Sequence, residues 1–148
     1  MLGLMATLLP DPGTPFGARV RERLTAERVI WFTTVGADGT PQPNPVWFVW
    51  QDDGLLVFNR PDAKRLAHIE ARPQVTLHFD GDGDGQGGDV VIFTGTAHRV
   101  PSHPRPHELP EYVAKYGEAM TRISGDTESF GADYSVAVRI DVARVRGF

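Results

Sequence analysis

The chain reads as a mainly β protein, a closed or partly closed antiparallel barrel with a few helices. Three observations predict this. Six segments carry the β-branched and aromatic runs expected of strands. The turn signals Gly36-Ala37-Asp38-Gly39 and Asp52-Asp53-Gly54 link the first three of them as hairpins. Helical patterns are confined to three stretches, which leaves the strands to close on one another.

Taken in order, residues 10–17 hold three prolines and two glycines, so ordered structure is expected after them. Thr14-Pro15 offers an N-cap and a first-turn proline for a short amphipathic helix to Leu24. Arg28 to Val35 is the first strand. Val46 to Gln51 is the second, with Val46, Phe48 and Trp50 on one face and Trp47 and Val49 on the other; both faces are apolar, which predicts burial on both sides. Leu55 to Asn59 is the third strand. A helix over Ala63 to Ala71 follows, with Leu66 and Ile69 as its inner stripe, ending before Pro73. Gln74 to Asp80 is the fourth strand and Asp89 to Val100 the fifth, where Gly95 suggests a bulge or a close backbone contact. Residues 101–110 carry four prolines and read as a connection. Pro110 to Ile123 is helical in pattern. The last strand, Ser135 to Val145, puts Val136, Val138, Ile140 and Val142 inward and Arg139 and Asp141 outward.

The totals restrict the function. With 148 residues the chain is expected to form one domain, residues 15–148, behind an arm over residues 1–14. The apolar Met1 to Leu9 lacks a basic start and reads as a packed or frayed arm rather than a signal peptide. No apolar run approaches the ~18 residues of a membrane span. A net charge of −4 argues against a general nucleic-acid binder. The absence of cysteine excludes disulfides and thiolate metal sites and fits a reducing cytoplasm.

Several motifs fail on inspection. Asp80-Gly81-Asp82-Gly83-Asp84-Gly85 matches the start of a calcium loop, but the twelfth position is Val91 instead of Glu. Gly83-x-Gly85-x-x-Gly88 leads into a strand, whereas a dinucleotide fingerprint must open a helix. His103 and His107 are four apart, but Pro104 and Pro106 forbid the helix that would make them a metal pair. No metal site is expected, and no catalytic constellation is visible.

The segment Asn59-Arg60-Pro61-Asp62-Ala63-Lys64-Arg65 stands out. Asp62 reads as the N-cap of the second helix, with Lys64 and Arg65 in its first turn. Cations oppose the helix dipole there, unless an anion docks on the same N–H groups. The segment therefore reads as a phosphate grip, with Arg60 close by.

Three segments together resemble one family. They are Val29 to Val35 with Asp38-Gly39-x-Pro41; Pro45-Val46-Trp47-Phe48-Val49-Trp50; and the Asn59 to Leu66 grip followed by Pro73-x-Val75-x-Leu77. This resembles the pyridoxamine 5'-phosphate oxidase-like split β-barrels, in particular the actinobacterial branch that uses the deazaflavin coenzyme F420. The resemblance implies a six-stranded antiparallel split barrel, of the FMN-binding split-barrel type, forming a homodimer with cofactor sites at the interface. It implies that Lys64 and Arg65, with Asn59 and Arg60, hold the cofactor phosphate. Pro45, Val46 and Trp47 would lie along the cofactor ring. Asp62 stands where the family often has Ser. The implied activity is hydride transfer from reduced F420 to a small planar unsaturated or quinone-like substrate. The alternatives are FMN on the same fold, or a flavin or haem carrier without turnover. Arg60 and Arg72 are the candidate cations for the anionic tail of F420.

Overall fold

The computed structural model describes residues 8–148; the part of the expected N-terminal arm before residue 8 lies outside them. Leu9 packs against the barrel core. The chain then forms α1 (Pro15–Ala26), β1 (Ile30–Val35), β2 (Pro41–Val46), β3 (Val49–Gln51), β4 (Gly54–Asn59), α2 (Arg65–Ala71) and β5 (Gln74–His78). After these come β6 (Val91–Arg99), a short 3-10 helix (Pro106–Glu108), α3 (Pro110–Ser124), α4 (Thr127–Asp133) and β7 (Val136–Gly147). Thr14 caps α1 as expected, its hydroxyl accepting from the Gly17 N–H at 3.0 Å.

The seven strands form one antiparallel sheet in the order β2-β1-β5-β6-β7-β4-β3. Its two edge strands are consecutive in the chain, only Trp47 and Phe48 lying between them. The sheet must therefore curl until its edges nearly meet, which makes the split barrel. Seven strands replace the expected six, and the physical reason lies in the prolines of β2. Pro41, Pro43 and Pro45 look like a break, yet they are two apart, so their N atoms all point to the same edge. That edge is free, and a missing N–H costs nothing there. Gln42 and Asn44 keep their N–H groups for β1, opposite Thr34 and Phe32.

The expected second strand is thus interrupted, but its two-faced pattern survives. Val46, Phe48 and Trp50 join the barrel interior, while Trp47 and Val49 join a second cluster on the outside. The interruption is tolerated because α3 satisfies the stranded backbone. The Phe48 N–H donates to the Tyr116 hydroxyl at 3.1 Å, and the Phe48 carbonyl accepts from the Tyr116 hydroxyl and from Lys115 Nζ at 3.0 and 3.2 Å.

The barrel interior is built from Ile30, Phe32, Leu55, Val57, Leu77, Phe93, Val138 and Ile140, with Leu66 and Ile69 of α2 and Val20 and Leu24 of α1. The second cluster sets Leu56, Phe58 and Ala137 against Tyr112, Tyr116 and Met120 of α3 and Phe130 of α4. So β4 is the strand buried at every residue. The expected bulge is present: the β6–β7 register slips at Thr94/Gly95, and a Cβ on Gly95 would overlap the Asp141 carbonyl oxygen. Arg23 is 8% exposed and fastens the Gly/Asp loop to α1. It donates to the carbonyls of Asp80 and Asp89 at 2.6 and 2.8 Å and pairs with Glu27 at 2.9 Å. Among the described residues no helix is long and apolar enough to cross a membrane, and no group of three or more His, Asp or Glu could hold a metal.

Candidate cofactor site

The segment after β4 does not form the expected Asp62-capped helix start. Ala63 N–H donates to the Arg60 carbonyl at 3.1 Å, closing a turn with Pro61 and Asp62 at its centre. Pro61 pre-sets the first central position of such a turn, which postpones the helix to Arg65. Lys64, and not Asp62, occupies the N-cap position, and it makes no side-chain cap. Asp62 is 86% exposed, with Arg60 Nε at 3.8 Å from its carboxylate. The seven-residue α2 therefore contributes a cation rather than a capped helix end.

That cation is Arg65. Its Nε donates to Asn59 Oδ1 at 2.6 Å. Asn59 is fully buried and is itself fixed by donating to the carbonyls of Val57 and Val136 at 3.0 and 3.2 Å. Among the described residues Arg65 has no carboxylate within ion-pair distance. Burial holds its pKa below the usual value, partly countered by Tyr134. A half-buried, uncompensated guanidinium is costly, and an anion would relieve the cost.

Arg65 lines a cavity of about 320 Å³ with Pro45, Val46, Trp47, Phe58, Tyr112, Ile123, Phe130 and Tyr134. Four of the seven expected site residues meet here: Pro45, Val46, Trp47 and Arg65. Asn59 supports Arg65 from behind. Arg60 sits alongside, its guanidinium 5.6 Å from the Tyr134 ring centroid. Lys64 is exposed, makes no pairing among the described residues and does not line the cavity. Arg72 is committed elsewhere, its Nε donating to the Val35 carbonyl at 2.9 Å.

The walls form an aromatic column. Trp47 stacks with Tyr116 at 4.6 Å and 5° and with Phe130 at 5.4 Å and 18°; Phe130 stacks with Tyr134 at 4.3 Å. Trp47 is therefore already engaged by two rings, and its role is to build the wall. Tyr112 and Phe58 meet edge to face at 5.0 Å. Burial drives the Tyr112 hydroxyl pKa far above its usual value, so this hydroxyl stays protonated and acts only as a neutral donor or acceptor.

Phe58, Tyr112, Phe130 and Tyr134 were not legible as site residues. Their signal was partly present. Ser124-Gly125-Asp126 stops one helix and caps the next: Gly125 takes φ 92°, and Asp126 Oδ1 accepts from the Ser129 N–H at 2.7 Å. That cap sets α4, which carries Phe130 into the cavity wall with Tyr134 just beyond its end. The fit to a planar phosphorylated cofactor is consistent in chemistry and size. An apolar aromatic slot suits a ring, Arg65 suits a phosphate, and ~300 Å³ is the lower end of ligand pockets, enough for a ring system but not for a whole dinucleotide.

Three comparisons place the chain among known proteins. No curated protein matches it. An F420 reductase superposes with TM-score 0.61 at 23% identity, over 85% of this chain and 94% of that one. HutZ, the heme storage protein from Vibrio cholerae, superposes with TM-score 0.67 at 18% identity, over 90% and 95%. An FAD-binding protein from Mesorhizobium loti superposes with TM-score 0.58 at 26% identity, over 86% and 88%. The profile of the family described as pyridoxamine 5'-phosphate oxidase matches residues 16–148, nearly the whole described chain, and the protein belongs to that family of split β-barrels.

Proposed function

We propose that the chain is an oxidoreductase that seats the ring of reduced coenzyme F420 in the aromatic cavity and serves a small planar unsaturated or quinone-like substrate. The observation that carries this reading is Arg65, a half-buried guanidinium without a carboxylate partner, lining a cavity of aromatic rings. Arg60 sits alongside it, and among the described residues no carboxylate lies within ion-pair distance of Arg65. Arg60, beside the cavity, adds a second cation to Arg65, which favours a cofactor with further carboxylates beyond its phosphate. The cofactor supplies the hydride; the chain binds it, orients it and keeps water from the ring. Tyr112, held protonated in the cavity wall, would donate to a carbonyl or ring heteroatom of the bound group.

FMN is the second reading. The tethering of Arg72 to Val35 removes one of the cations expected for a longer anionic tail, and FMN ends at one phosphate. A haem carrier is less favoured, because among the described residues no histidine lines the cavity. The proposal includes a homodimer in a reducing cytoplasm. Ile123, in the cavity wall, is 59% exposed, and β2 is exposed along five of its six residues, so one wall awaits a covering surface. Anaerobic mixing of reduced F420 with menadione tests the activity: the protein should accelerate cofactor reoxidation and Arg65→Gln should not. Tight binding without turnover across a panel of quinones would leave the carrier reading instead. Sedimentation at micromolar concentration should give a dimer.

A further inference from the structure

The chain has two lysines, and the fold treats them in opposite ways. Lys64 is exposed. Lys115 lies on α3 in the wall of a second, larger cleft of about 600 Å³ between α1, β3 and α3, also lined by Leu24, Val49, Trp50, Ala114 and Glu111. Its ammonium nitrogen lies 3.8 Å from the Phe48 ring centroid and donates to the Phe48 carbonyl at 3.2 Å. No carboxylate lies within ion-pair distance of it among the described residues. The Tyr116 hydroxyl lies 3.0 Å from the same carbonyl and 2.7 Å from the Arg28 carbonyl, so its one proton can turn to Phe48 when the amine leaves.

From this geometry we propose that Lys115 is a covalent binding site for carbonyl compounds, an amine nucleophile that takes apolar or aromatic aldehydes entering the cleft between α1, β3 and α3. The neutral amine adds to the carbonyl carbon. The carbinolamine then loses the carbonyl oxygen with both nitrogen protons as one water, leaving an imine; no oxidant or reductant is needed. Leu24, Val49, Trp50 and Ala114 select for an apolar body. The amine is available at neutral pH because burial, and then Arg28, bring its pKa down to about 8, with Glu27 opposing. The other charged groups of the cleft are Glu111, one turn earlier on α3, and Arg21 on α1, whose Nη1 donates to the carbonyls of Pro10 and Gly17. Against an ordinary lysine near 10.5, a value of about 8 leaves roughly 300-fold more free amine at pH 7.

The site does not depend on the cofactor reading and is tested on the wild-type protein, with Lys64 as an internal standard. The probe is benzaldehyde with cyanoborohydride at pH 7, followed by peptide mapping, the terminal amine being read on its own peptide. Lys115 should be alkylated at least about tenfold faster than Lys64, the part of its amine advantage that survives its lower basicity and exposure. Its labelling rate should rise with pH to a midpoint near 8. Glyoxylate, a charged aldehyde, should label Lys115 more slowly than benzaldehyde does. Lys115→Arg, folded by circular dichroism, should keep only the Lys64 adduct. Equal or slower labelling of Lys115, its labelling only after unfolding in urea, or a faster reaction with glyoxylate would overturn the proposal.

Discussion

Replacing Arg65 by Gln separates the guanidinium's binding role from its structural one. The Gln side-chain nitrogen sits the same number of bonds from Cα as the Arg Nε that donates to Asn59 Oδ1 at 2.6 Å. The variant therefore keeps the donor to a fully buried acceptor while losing the charge and the terminal N–H groups. Fold stability should stay within about 0.5 kcal/mol of wild type. A charge-assisted contact to a phosphate contributes ~1.5–3 kcal/mol, so cofactor affinity should fall about tenfold to over a hundredfold. Arg65→Met is the contrast. It orphans Asn59 Oδ1 and should lose ~1–3 kcal/mol of stability as well as affinity. Urea unfolding gives the first quantity and fluorescence titration with F420 and FMN the second. The reasoning fails if Arg65→Gln binds cofactor like wild type, or if Gln and Met destabilise equally.

Arg23→Met should lower stability by about 3 kcal/mol in urea unfolding, because it strips donors from the Asp80 and Asp89 carbonyls and leaves Asp89 with Arg19 alone; a loss under about 1 kcal/mol would deny it the role of fastening that loop. Gly95→Ala should cost at least ~2 kcal/mol, since its Cβ meets the Asp141 carbonyl at the bulge and backbone cannot swing aside as a side chain can; a near-neutral thermal shift would contradict the packing described. Stability should rise with pH from about 8 to about 10, because folding lowers the Lys115 pKa and the unfolded chain holds the extra proton across that window. Lys115→Met should abolish this rise. Above pH 10 stability should fall, since folding pushes the Tyr116 hydroxyl up to about 12 and the unfolded chain loses that proton first.

What the sequence made legible follows the periodic signals. The two faces of Val46 to Trp50 and the alternation of β7 appear as read because burial on a barrel enforces a period of two, and Leu66 and Ile69, three apart on α2, share the helix face that meets the core. Pro41, Pro43 and Pro45 hid a strand, because propensity speaks against proline while a free edge tolerates it. The phosphate grip was half legible. The turn closed at Arg60–Ala63 moved the helix start from Ala63 to Arg65 and the N-cap from Asp62 to Lys64, so that of the three expected cations Arg65 alone lines the cavity. The remaining walls were not legible. Tyr112, Phe130 and Tyr134 lie more than fifty residues from Phe58, and only the packing of α3 and α4 on β4 brings them together.

Direct titration of the purified protein with F420 and with FMN, followed by the fluorescence of both the cofactor and the tryptophans, tests the central claim that the aromatic cavity and Arg65 form a site for a planar phosphorylated cofactor. The account predicts saturable binding of one cofactor per chain, quenching of tryptophan emission by energy transfer to the bound ring, and F420 binding tighter than FMN. Tighter FMN binding would shift the assignment to the second reading. No saturable binding of either cofactor to the folded protein would contradict the account.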